Sequence, residues 1–139
     1  MEQRMKKIVL LLALLLTFAL TSCGKKGAST NIDVTLTDFQ FTPNAYVIPA
    51  GKEISFTAVN NGSVVHNFVI MKLGTDAGPT FEDDDVPNVY WETELVPGAD
   101  VKTTFTAPTE PGDYQVVCRT EGHIASGMVA KLTVVAADN

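Results

Sequence analysis

Cysteine and histidine are scarce in this chain, whose 139 residues carry two of each. Two cysteines exclude a disulfide-dense scaffold, and two histidines cannot furnish the several histidine-bearing metal centres of a multicentre redox enzyme. Basic residues are few as well: 10 Lys and Arg stand against 16 Asp and Glu, for a net charge of −6. That balance excludes a nucleic-acid binder and suits solubility and docking to basic partners. No stretch of helical period carries caps, which argues against a helical domain. No internal repeat is evident. The longest apolar run, Ile8 to Leu20, has 13 residues, about 20 Å as a helix, short of the ~30 Å hydrocarbon core.

What precedes that run gives it a meaning. Arg4, Lys6 and Lys7 form the charged region of an export signal and Ile8–Leu20 its apolar region. The next residues, Leu20-Thr21-Ser22-Cys23, resemble the lipobox of bacterial lipoproteins, with an ordinary signal peptide as the alternative. The resemblance implies that residues 1–22 are a signal peptide and that Cys23 is lipidated as the new N-terminus. The chain would then be anchored on the extracytoplasmic face of a bacterial membrane, at the periplasm or cell surface, without spanning it. The remaining 117 residues carry 7 basic and 15 acidic side chains, net −8, and suffice for one domain. Residues 23–31 are small and polar and read as a tether, leaving 32–139 as the folded domain.

From Ile32 on, the apolar period is two. Ile32, Val34 and Leu36 alternate with polar residues, as do Ile54, Phe56 and Ala58, then Trp91, Thr93 and Leu95, then Val101, Thr103 and Phe105. Ala45–Ile48, His66–Met71, Tyr114–Cys118 and Met128–Val135 are further strand candidates. Pro49-Ala50-Gly51, Asn60-Asn61-Gly62, Pro97-Gly98 and Pro111-Gly112 supply turn chemistry between them. Seven or eight short strands predict an all-β fold, an antiparallel Greek-key β-sandwich. Lys72–Asn88 is the one long irregular segment, a loop or short helix at one edge. Its Glu82-Asp83-Asp84-Asp85 run reads first as a solvated loop tip. The alternatives are a docking patch for a cationic partner or, less well spaced for it, a calcium site.

Chemistry concentrates in Cys118-Arg119-Thr120-Glu121-Gly122-His123-Ile124-Ala125-Ser126-Gly127-Met128, where a thiol, an imidazole and a thioether fall within eleven residues. Cys118 shares a strand face with Tyr114 and Val116, and Met128 shares one with Ala130, Leu132 and Val134, so two donors lie at strand ends. Gly122 and Gly127 precede the other donors and allow a tight loop. With Cys23 lipidated, Cys118 has no disulfide partner and is either a buried structural thiol or a metal ligand. His66, the only other histidine, begins a strand whose Phe68 and Ile70 share its face. A lone histidine there is more often a hydrogen-bonded core residue. Two histidines at the same kind of strand end, beside a thiol and a thioether, favour ligation of a copper ion cycling between Cu(I) and Cu(II).

These residues carry a family resemblance. His66-Asn67 after an Asn-Gly turn, followed by Tyr114-x3-Cys118-x4-His123-x4-Met128, is similar to the cupredoxins, the type 1 blue copper proteins, and among them to the auracyanins and azurins. The resemblance implies one copper held by His66, Cys118 and His123, with Met128 as a long axial ligand. It also implies that Asn67 ties its strand to the loop bearing the cysteine. The chain departs from the pattern at Arg119 and Glu121, where neutral residues are usual, and at Ala130, where glycine is common. Without a hydroxyl residue directly after Cys118, Asn67 is expected to lack a hydroxyl partner, and Arg119 and Glu121 to form a charge pair in the loop.

The implied function is a monomeric, non-enzymatic one-electron carrier. Its partners would be redox proteins such as cytochromes or membrane electron-transfer complexes, docking near His123 on a rim of Ile124, Ala125, Val64 and Val65. The alternative is a copper storage or delivery protein, which would favour clusters of exposed Met or His; after the signal only Met71 and Met128 remain.

Overall fold

The structure, a computed structural model, describes residues 27–137. The signal peptide lies outside these residues, as do residues 23–26 of the expected tether, Cys23 among them. Nine strands are present among the described residues: β1 (Asn31–Thr37), β2 (Gln40–Thr42), β3 (Ala45–Pro49), β4 (Glu53–Asn60), β5 (His66–Met71), β6 (Val89–Leu95), β7 (Asp100–Thr106), β8 (Gly112–Val117) and β9 (Val129–Val135). All eight candidate strands form, and β2 is an addition too short to show a period. Asn31 already pairs with Ser55, and Ser29 and Thr30 bond to Val47 and Ser55, so the sheet begins slightly before residue 32.

Two sheets pack face to face, in the orders β2-β1-β4-β7 and β3-β9-β8-β5-β6. The expectation of purely antiparallel pairing is corrected: β1 runs parallel to β4 and β3 parallel to β9, so both sheets are mixed. Alternation works as expected in β1 and β4, which bury Ile32, Val34, Leu36, Ile54, Phe56 and Ala58 and leave the polar residues between them exposed or half-buried. Between the sheets, Phe68 meets the rings of Phe41, Tyr46 and Phe56 at 5.5, 5.7 and 4.9 Å, in tilted and edge-on arrangements that aromatic pairs prefer.

Strand β5 is buried on both faces, which its sequence does not announce. The reason is the long segment after it. Ala77, Phe81 and Val89 fold over the outer face of Val69, Met71 and Val117, with Ile124 of the donor loop joining them. The Gln115 side chain pins this cover by accepting the Ala77 N–H at 2.8 Å. Asp83–Asn88 forms a 3₁₀ helix with exposed carboxylates and a Glu82–Asp85 capping box. The acidic run is thus a solvent-facing helix start, and β5 gains a dry, rigid setting at the centre of the fold.

Candidate metal centre

His66 opens β5, Cys118 follows the last residue of β8, and Met128 precedes the first of β9. Because β5 pairs with β8 and β8 with β9, the sheet brings these three donors to one end of the sandwich. Cys118 N–H donates to the Met128 carbonyl at 3.2 Å, closing the neck of the loop between them. Within the loop, His123 N–H bonds Thr120 O at 3.0 Å and Met128 N–H bonds His123 O at 2.9 Å. Gly122 and Gly127 take φ of 77° and 96°, left-handed values that suit glycine, and they fold His123 back over the neck.

The four donors converge as the sequence predicts. Sγ of Cys118 lies 3.8 Å from His66 Nδ1 and 3.6 Å from His123 Nδ1, and Met128 Sδ lies 3.3 Å from His123 Nδ1. His66, Cys118 and Met128 are fully buried, and His123 is 5% exposed. Metal bonds of about 2.0–2.3 Å set at about 120° separate their donor atoms by roughly 3.7 Å, so the thiol-to-imidazole spacings fit a single ion. One thiolate, two imidazoles and a thioether are the soft and borderline donors that suit copper in both oxidation states. Burial, helped by the nearby His66, pulls the His123 imidazole below its ordinary value and favours the neutral ring that a metal requires.

The surroundings hold the ligands in place. Asn67 N–H points at Cys118 Sγ at 3.4 Å, and its side-chain amide donates to Glu94 at 3.0 Å. Asn67 therefore ties β5 to Cys118 through its backbone and to β6 through its side chain. The expectation that Asn67 has no hydroxyl neighbour is corrected: Thr120, two residues after the cysteine, places Oγ1 3.4 Å from Asn67 Oδ1 while donating to Val65 O at 2.7 Å. The expected Arg119–Glu121 pair is also corrected. Arg119 reaches Glu92 at 3.1 Å and Glu94 at 3.9 Å, because its side chain lies over the β6 edge strand rather than along its own loop.

Three residues that the sequence left unassigned complete the site. Asp38, in the turn between β1 and β2, accepts from the far ring nitrogen of His66, Nε2, at 3.1 Å. The Ser63 hydroxyl and amide hold the Asp38 carboxyl below the usual carboxylate range, with His66 adding to the effect. Phe39 sets its ring 4.9 Å from that of His123. Gly62 packs directly on His66: a Cβ there would lie 2.3 Å from Nε2. Glycine at position 62 is therefore required by this close approach and not by a positive φ. The one sequence signal for these residues is Asp38-Phe39 itself, a bend between apolar runs with neither glycine nor asparagine.

Known proteins share this architecture. Residues 10–134 match the family model for a cupredoxin-like domain. A curated relative, the copper-resistant cuproprotein CopI of Rubrivivax gelatinosus, is 28% identical over 126 residues, spanning 82% of this chain and 74% of that protein. Among solved structures, the dithionite-reduced auracyanin of Roseiflexus castenholzii superposes with a TM-score of 0.66 at 32% identity, covering 78% of this chain and 99% of its own. Auracyanin A of Chloroflexus aurantiacus, described as a blue copper protein, gives 0.61 at 28%, covering 78% and 100%. Donor set, fold and family match agree: the chain belongs to the cupredoxin-like family, and His66, Cys118, His123 and Met128 form a type 1 site for one copper ion.

Proposed function

We propose that the chain is a one-electron carrier, not an enzyme, which receives and delivers electrons at the membrane surface through this site. The observation that carries the proposal is the buried Cys118 thiol with two imidazole nitrogens at 3.6 and 3.8 Å, all fixed by strand ends and backbone hydrogen bonds. Copper supplies a Cu(I)/Cu(II) couple when bound. The protein's part is to keep its donors from moving as charge changes: β5, β8 and β9 anchor three of them, and the hydrogen-bonded loop anchors the fourth. Asn67 N–H stabilises negative charge on the Cys118 sulfur, and the buried surroundings limit water access.

Partner docking is proposed at the face near His123, whose ring is the ligand nearest to solvent. The half-exposed Phe39, Val64 at 41% exposure, Ala125 and the partly exposed Ile124 supply apolar surface around it, a fit for a redox protein such as a cytochrome. The lipobox-like Leu20–Cys23 supports anchoring at the extracytoplasmic face. Replacing Cys23 with alanine should release the protein from membranes, and continued retention rejects lipidation there.

A second reading, copper sequestration or delivery, is favoured by the copper-resistant CopI relative. Titration with Cu(II), followed by redox cycling and a chelator challenge, separates the two. A carrier takes one copper, cycles reversibly by one electron and retains the metal in both states. A delivery protein surrenders it readily in one of them.

A further inference from the structure

The turn joining β1 to β2 is built against its own interest. Thr37 pairs with Gln40, so the loop is only Asp38-Phe39. Phe39 has φ of 68°, the only positive value at a non-glycine among the described residues. A left-handed backbone is strained for an L-residue, and glycine or asparagine is the usual solution. Phe39 is also 49% exposed, so burial does not repay the strain. What this turn gains is two contacts: the Asp38 carboxylate on His66 and the Phe39 ring on His123.

The Asp38 contact is built from three sides. Oδ1 of Asp38 meets His66 Nε2 at 3.1 Å and accepts Ser63 N–H at 2.9 Å, while Oδ2 accepts the Ser63 hydroxyl at 2.6 Å. Gly62 closes over the pair so tightly that a Cβ would sit 2.6 Å from Asp38 Oδ1. The Asn60 side chain sets that loop by accepting Gly62 N–H at 2.8 Å and donating to Val64 O and Leu95 O, both at 2.9 Å. A carboxylate on one imidazole nitrogen requires the proton there, leaving the Nδ1 lone pair, on the side facing Cys118, free to ligate the metal.

We propose that the Asp38–Phe39 turn is an outer brace on both copper histidines. Asp38 fixes the tautomer and orientation of His66 and lowers the reduction potential through its charge. Phe39 seats the ring of His123 and shields it from water. The effect on potential rests on the electron-carrier function; the bracing of the ligands rests on copper binding alone. Both are positioning roles, since neither side chain reaches the donor atoms facing the metal.

The Asp38 charge lies about 7 Å from the metal position, reckoned along the hydrogen bond, the ring and one metal bond. At an effective dielectric between about 20 and 80, its loss shifts the reduced-to-oxidised ratio roughly 3- to 50-fold toward Cu(I) at a fixed applied potential.

The test uses the full chain, loaded with copper and metal-free, with Asp38→Asn, Asp38→Ala and Phe39→Gly. Asp38→Asn keeps an acceptor for His66 Nε2–H but removes the charge; it should retain the wild-type visible band and shift the ratio at least threefold. A shift below twofold overturns the charge role. In the metal-free protein, the His66 Nε2–H proton should exchange slowly with solvent in wild type and Asp38→Asn and at least tenfold faster in Asp38→Ala. Equal exchange in all three overturns the brace. Phe39→Gly relieves the left-handed strain, so the metal-free chain should melt no lower than wild type, yet release copper to a chelator several-fold faster. Unchanged release overturns the shielding role. Absence of a reversible one-electron couple in the wild-type protein itself would instead refute the carrier function, leaving the metal-free exchange measurement as the separate judge of the brace.

Discussion

Substituting Gly62 by alanine makes the most local demand on this site. The new Cβ would lie 2.3 Å from His66 Nε2, 2.9 Å from His66 Cδ2 and 2.6 Å from Asp38 Oδ1. Ordinary carbon contacts need about 3.5 Å, so the ring, the Asp38 turn or the Gly62 loop must retreat by about 1.2 Å. His66 has little room to do so, since it is fully buried and its Nδ1 already stands 3.8 Å from Cys118 Sγ. Overpacking of this kind costs about 1–3 kcal/mol of fold stability. A displacement near 1 Å at a ligand exceeds the ~0.5 Å tolerance of a preorganised site. Copper affinity should therefore fall at least tenfold, while the metal-free chain loses only several degrees of melting temperature. The control is Gly78→Ala, where nothing lies within 4 Å of the added carbon and φ is not positive; both quantities should stay at wild-type values. Calorimetry on the metal-free proteins and competition with a copper chelator read the two effects. A Gly62→Ala protein with wild-type copper affinity and spectrum would refute the packing of that loop on His66.

Other outcomes follow from the same contacts. Met128→Leu should keep copper and raise the reduction potential, read by redox titration, because three ligands remain to hold the ion while the fourth donor, which the higher coordination of Cu(II) favours, is lost; loss of copper would show a different role for Met128. Phe68→Ala removes the ring on which Phe41, Tyr46 and Phe56 converge and should cost about 3–5 kcal/mol in denaturant unfolding. Arg119→Gln, by contrast, breaks only part-exposed pairs with Glu92 and Glu94 and should change stability by less than about 1 kcal/mol. Asp113 is held below the usual carboxylate value by the Thr133 hydroxyl and Lys131, so its stabilisation is present above the unfolded value and is lost as pH falls through the folded one. Asp113→Asn should accordingly flatten the acid limb of the stability profile below about pH 4, and an unchanged limb would discount that carboxylate.

Much of this was legible in the residues, for identifiable reasons. Ile32–Leu36 and Ile54–Ala58 alternate because one face of each strand meets the core and the other meets water, so pattern and burial coincide. The donors were legible because the composition offers so few: two histidines, one cysteine after the lipobox and two methionines after the signal. Each donor also sits at a strand end or just after a glycine. Strand β5 hid its second buried face, since Val69 and Met71 are covered by a segment that starts only at Lys72 and has no period of its own. The parallel pairings of β1 with β4 and β3 with β9 are tertiary choices that leave no local mark. Asp38 stands 28 residues before His66 and contributes one carboxylate from a turn with neither glycine nor asparagine, so only the folded chain brings them together. Thr120 stands one residue beyond the position where the family pattern puts the hydroxyl, so the fold of the loop and not its spacing brings it to Asn67.

The account turns on Cys118 as a thiolate copper ligand between His66 and His123. Visible spectroscopy of the chain after addition of one equivalent of Cu(II) tests this most directly. Intense blue or green absorption, bleached by one electron and abolished in Cys118→Ser, is the predicted result. A colourless complex, or a band that survives in Cys118→Ser, would contradict it.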